Sequence, residues 1–307
     1  MIMSKKLLIF LFFYPFIASS QEISVRRIQQ ITGPEAGELV ISAVSPDGRN
    51  LLVSSSDFRG LKIIDIRKKR ITEIAKDAGA GYEPVFSPDG NKIYFRSDEY
   101  RNYRKYSALY EYDRSAAVKT LVEPASRGLG SPVISGSEVV YLADGKRRSG
   151  STLKESGAKE LNGIYVSLED LVPVLYSGGK RKEIKPNGDG NYIWVSLSPD
   201  KKKLLYNFRG TSTFVSDTAG TVLYELGRVN GPKWIDNNLI AGMNDEDDGT
   251  RVLRSDIICY SLKTNKLYNL TNTAESIEMY PFPVNGKNRI AYQTLKGELY
   301  IINIKIR

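Results

Sequence analysis

The tetrapeptide SPDG stands at residues 45–48 and again at residues 87–90, 42 positions on, each time between two apolar runs. Proline presets φ for a tight turn, aspartate can accept hydrogen bonds from the backbone ahead of it, and glycine supplies a positive φ. Each copy therefore reads as a hairpin. A hairpin that recurs at this period is the mark of a repeat array, which constrains the fold more than any composition.

The segments around the turns are short, rich in Val, Ile, Leu and Tyr, and bounded by Gly, Pro, Asp or Asn, as strands of a meander are. In the first unit they are ELVISAV, NLLVSS, LKIIDI and RITEIA, and in the second YEPVF, KIYFR, ALYEYD and KTLV. We label the four strands of a unit A to D, so that SPDG is the A to B turn. Later units keep the order with altered turns: SGS at 135–137, SPDK at 198–201, DNN at 236–238 and VNGKN at 284–288. Six such turns predict six units. The expectation is an all-β, six-bladed β-propeller of four-stranded antiparallel blades, occupying residues 21–307 as one domain.

The last unit stops after its C strand, whereas RRIQQIT at 26–32 precedes the first unit without a blade of its own. Pairing the two would complete the last blade and remove an exposed sheet edge.

These residues resemble the TolB-like family of propellers, whose repeat joins SPDG to an apolar strand with Ser-Asp and then to a Tyr-containing strand ending in Asp. PVFSPDGNKIYFRSD matches over the turn and B strand, and IIDI, YEYD and FVSD match the end of C. The resemblance covers residues 22–307, without the separate α/β domain that TolB carries before its propeller. It implies a non-catalytic extracytoplasmic binding or scaffold protein. Similar propellers occur in oligogalacturonate lyases, where histidines hold a metal, and in prolyl oligopeptidases, beside a hydrolase domain.

This chain has no histidine. That excludes Ser-His-Asp and Cys-His catalysis and imidazole metal sites, so no enzyme of those kinds and no cofactor is expected. The alternative reading is a lyase-like enzyme that acts on an anionic polysaccharide through non-histidine residues. The single cysteine, Cys259 in SDIICYSL, forms no internal disulfide and reads as a small buried strand residue.

Residues 1–20 read as a cleaved secretory signal: Lys5 and Lys6 precede an apolar run at 7–17, followed by small residues. That run is too short to span a bilayer and no cysteine marks a lipoprotein. A periplasmic or secreted, non-membrane-spanning monomer is expected. Without the signal, 42 basic residues face 35 acidic ones, a net charge of +7. In an exported protein this favours an envelope protein or an anionic glycan as partner over nucleic acid.

Three B to C connections are long: DEYRNYRKYS at 98–107, a stretch starting at Asp144, and NDEDDGTRVLR at 244–254. In a propeller they share one face with the D to A loops. Loops elaborated on one face are where binding is expected. Tyr100, Arg101, Tyr103, Arg104 and Tyr106, with Arg147 and Arg148, are the candidate binding residues, since aromatic faces and guanidinium forks suit sugars and anions. No metal site is expected. Asn244, Glu246 and Asp248 alternate as in a calcium loop, but Ser255 stands where the closing Glu should be.

Overall fold

The computed structural model describes residues 22–136, 138–149, 163–284 and 288–307, and the signal sequence lies outside them. The chain enters on β1 (Ile23–Thr32) and a 3-10 turn at Pro34–Ala36. The first blade is β2 (Val40–Val44), β3 (Asn50–Ser54), β4 (Leu61–Asp65) and β5 (Arg70–Ala75). The second is β6 (Val85–Phe86), β7 (Lys92–Arg101), β8 (Arg104–Asp113) and β9 (Val118–Ser126). Two smaller sheets follow: β10 (Val133–Ser135), β11 (Glu138–Ala143) and β12 (Lys146–Ser149), then β13 (Tyr165–Glu169), β14 (Val172–Ser177) and β15 (Lys180–Glu183). The fifth blade is β16 (Tyr192–Leu197), β17 (Lys203–Phe208), β18 (Ser212–Asp217) and β19 (Val222–Gly227). The sixth is β20 (Asn230–Trp234), β21 (Leu239–Asp247), β22 (Val252–Ser261) and β23 (Lys266–Asn269). The last is β24 (Glu278–Val284), β25 (Arg289–Thr294) and β26 (Leu299–Ile306), completed by β1, which pairs antiparallel with β26.

The ring thus has seven blades and not six, and two of them show three strands among the described residues. Packing gives the same count, because each interface between successive blades holds its own apolar cluster. Examples are Ile41, Val53 and Ile301 between the last and first blades, and Leu205, Val215 and Ile258 between the fifth and sixth. The third and fourth blades meet over the smallest cluster, Val140, Tyr165, Val174 and Tyr176.

The miscount has a physical cause. GIYVSL and LVPVLY, which a count of six leaves in the unit of the long stretch starting at Asp144, lie in β13 and β14 of a separate sheet. Their turn at Asp170 and Leu171 lies on the B to C face: Leu171 accepts a hydrogen bond from Tyr192 N–H, and the neighbouring Asn191 carbonyl accepts one from Arg209 in the B to C turn of the fifth blade. The described strands of the fourth blade therefore contain no A to B turn. Counting A to B turns counts six.

The SPDG turns behave as read. Ser45 Oγ donates to Asp47 Oδ1 at 2.6 Å and accepts from Asn50 N–H at 2.9 Å, while Asp47 Oδ1 also accepts from Arg49 N–H. Ser87 and Asp89 repeat this arrangement, and so do Ser198 and Asp200 in SPDK. The Asp89 carboxyl is held below the usual carboxylate range by its hydrogen bond from Ser87, then by those from Asn91. These aspartates serve turns.

Candidate functional site

Two hairpins outgrow the ring on the B to C face. In the first blade β3 and β4 are five residues long, whereas β7 and β8 are ten each and stay paired out to Arg101 opposite Arg104. Five further residues at antiparallel rise project the arm by ~17 Å. Its tip is a two-residue turn, Asn102 and Tyr103, both at positive φ (49° and 59°), the type I′ geometry that matches strand twist. YRNYRKY is therefore a paired arm and not a loose loop. The sixth blade raises a second arm of β21 and β22.

Of the candidate residues, Tyr103 is fully exposed and Tyr100 is 70% exposed. Arg101 pairs with Glu99 and its guanidinium lies over the Tyr106 ring at 5.3 Å. Arg104 is exposed, with no ion pair among the described residues.

Arg147 and Arg148 sit on β12, a strand and not the expected loop, and the remainder of that stretch falls outside the described residues. Arg148 binds both carboxylate oxygens of the buried Glu123 on β9, at 2.7 and 2.9 Å, and Tyr141 donates to the same carboxylate. Arg147 lies over the stacked rings of Tyr165 and Tyr176, at 5.4 and 5.7 Å. These two arginines clasp the third blade to its neighbours and stand apart from the β7–β8 tip.

Asn244 and Glu246 are exposed on β21, and Asp248 lies in the turn beyond, where it accepts from Thr250 and Arg251 N–H. The intervening Asp245 is buried against Asn230, and Asp247 pairs with Arg228 at 2.9 Å. No group of three or more His, Cys, Asp or Glu able to hold a metal ion occurs among the described residues.

Sequence reasoning missed the mouth of the central channel. Where β20 and β24 line the ring, Lys233 Nζ lies 4.8 Å from the centre of the Phe282 ring. Lys233 keeps accessible surface, yet protein surrounds it. That loss of bulk solvent holds its ammonium below the ordinary lysine range, against the opposing pull of Glu83.

Beside the channel, the D to A loop between the first and second blades is pinned to β7. Asp77 accepts from Ser97 and Lys119, and the Ala78 carbonyl accepts from Asp98 N–H at 2.7 Å. Gly81 presses on Ser54, where a Cβ would collide, and this brings Tyr82 edge-on to Phe58 with ring centres 5.3 Å apart. Arg96, only 7% exposed, lies 4.6 Å over the Tyr82 ring. Glu83 and burial push the Tyr82 phenol up, while Arg96 pulls it down. Between the fourth and fifth blades a separate cavity of about 450 Å³ is lined by Leu171, Asn191, Ile193 and Arg209.

No family model matches this sequence, and no curated protein does. Solved structures do. A Bacteroides thetaiotaomicron protein of unknown function superposes with a TM-score of 0.57 at 9% identity, covering 93% of this chain and 76% of its own. Oligogalacturonate lyase from Vibrio parahaemolyticus gives 0.50 at 13% identity, over 85% and 76%. What they share is the fold. TolB from Acinetobacter baumannii gives 0.48 at 17% identity, and the propeller spans 77% of itself but only 55% of that chain. No helix among the described residues is long and apolar enough to cross a membrane.

Proposed function

We propose that this propeller is a non-catalytic extracytoplasmic binding protein that takes an envelope protein or anionic glycan on its B to C face. The β7–β8 arm carries the reading: Tyr100, Tyr103 and Arg104 are held clear of the ring on paired strands, where they contribute little to the core. Tyrosine and arginine are the residue types enriched among side chains that anchor binding surfaces. The non-catalytic part rests on the absence of histidine, and the extracytoplasmic part on the signal-like N-terminus.

The test is capture of envelope components by immobilised protein, comparing wild type with Tyr103→Ala/Arg104→Ala. Loss of the captured component supports the reading, and capture equal to wild type refutes it. Incubation with uronic-acid polysaccharides, read by absorbance of an unsaturated product, checks the other half. Turnover there would make the protein an enzyme.

A further inference from the structure

Arg96 is the anomaly of the B to C face. A guanidinium stays charged at any physiological pH, and a buried charge is costly unless an opposite charge accompanies it. Even the exposed Arg148 on the next blade has a carboxylate, that of the buried Glu123. Arg96 has no ion pair among the described residues, and its Nε is buried without any hydrogen-bond acceptor. Its one contact of note is the Tyr82 ring. Tyr82 is 40% exposed and Phe58 beside it 38%, so an aromatic surface opens to solvent where the guanidinium lies. Phe58 stands at φ 59° in the B to C turn of the first blade and Glu83 at φ 51°, a left-handed conformation that Trp194 and Tyr280 share at the inner strands of other blades.

We propose that Arg96, Tyr82 and Phe58 form a binding site for a carboxylated sugar residue of an anionic glycan. The carboxylate supplies the missing counter-charge to Arg96, and the sugar ring lies on the aromatic pair. This inference rests on the glycan branch of the function proposed above and names its chemistry.

A peptide carboxylate is the rival ligand, and the rim argues against it. The backbone donors there are used internally: Phe58 N–H donates to Ser55, Gly60 N–H to Asp77, Gly81 N–H to Phe58 and Tyr82 N–H to Gly79. An extended peptide would find no ladder to join. A ligand that needs only ring stacking and a fork-shaped cation does not require one. Glu83, the carboxylate that acts on both the Tyr82 phenol and Lys233, forms no ion pair with Arg96 among the described residues.

The test is calorimetric titration of the signal-free chain with a uronic acid trisaccharide and with the same trisaccharide reduced at its carboxyls. The acidic sugar binds, and both reduction and Arg96→Gln weaken it by about tenfold or more, as expected when a charged hydrogen-bond pair is lost. Phe58→Asn, which suits left-handed backbone, weakens both sugars and keeps the test open should Arg96→Gln fail to fold. The proposal is overturned if the acidic sugar does not bind, if the reduced sugar binds equally well, or if folded Arg96→Gln binds like wild type. It is also overturned if a short peptide with a free C-terminus binds through Arg96 more tightly than the sugar. Tyr103→Ala/Arg104→Ala separates the two readings. Retained arm-dependent capture without sugar binding sinks only this site, and Arg96-dependent sugar binding without arm-dependent capture sinks only the role of the arm.

Discussion

Ile28 of the first strand stands opposite Ile302 of the last, so the blade that closes the ring is built from both ends of the described chain. The same strand carries Ile23 into the cluster between the sixth and seventh blades and Ile31 into the cluster between the seventh and first. Ile31→Ala should therefore cost about 2–4 kcal/mol, the range for a large side chain lost from a core. Deleting residues 22–32 should abolish the cooperative melt. Calorimetry checks both, and an unchanged melting temperature on deletion would refute closure by β1.

Lys201 occupies the place of Gly48 and Gly90 in the SPDK turn and is held at φ 62°, close to their 66° and 74°. Left-handed backbone costs a side-chain-bearing residue roughly 1–2 kcal/mol, and glycine avoids that at a smaller entropic cost. Lys201→Gly should raise stability by up to about 1 kcal/mol in urea unfolding. A fall would show that the lysine has a compensating contact.

Glu278, 2% exposed, accepts from Thr273 and Thr271, and burial pushes its carboxyl above the ordinary glutamate range, with Asp256 adding to the shift. A carboxyl raised on folding binds its proton more tightly in the folded chain. Its contribution is thus fully present below the unfolded value and is lost as pH rises through the folded one. Glu278→Gln keeps the shape and stays neutral. Its melting temperature relative to wild type should climb between pH 4 and pH 7, and a constant difference would show that Glu278 is not the titrating group.

Strands, turns and ring closure were legible because each rests on local chemistry: alternation, turn residues and an orphan strand seeking an edge. The blade number was not. It was inferred from A to B turns, and the fourth blade presents instead the turn of Asp170 and Leu171, whose leucine at φ 61° carries no turn signature in sequence. The offset of 42 residues between the SPDG copies held the better clue, since 287 residues divided by seven is 41. Among the candidate residues, the exposure of Tyr100 and Tyr103 was legible because it follows from a long connection. Arg147 and Arg148 were read as loop residues because Glu123 and the Tyr165–Tyr176 stack, which hold them on β12, come from other blades. Arg96 was visible as a charge inside the strand KIYFR, but its lack of a counter-ion is a three-dimensional fact.

The pairing of β1 with β26 begins where Glu22 and Arg307 exchange backbone hydrogen bonds and Ile23 faces Ile306, then runs inward from that end. A pulling force applied between residues 22 and 307 would load these bonds one after another, as in a zipper, instead of all together in shear. The seam that shares in two apolar clusters is the place where the ring would yield first under tension, at a low force.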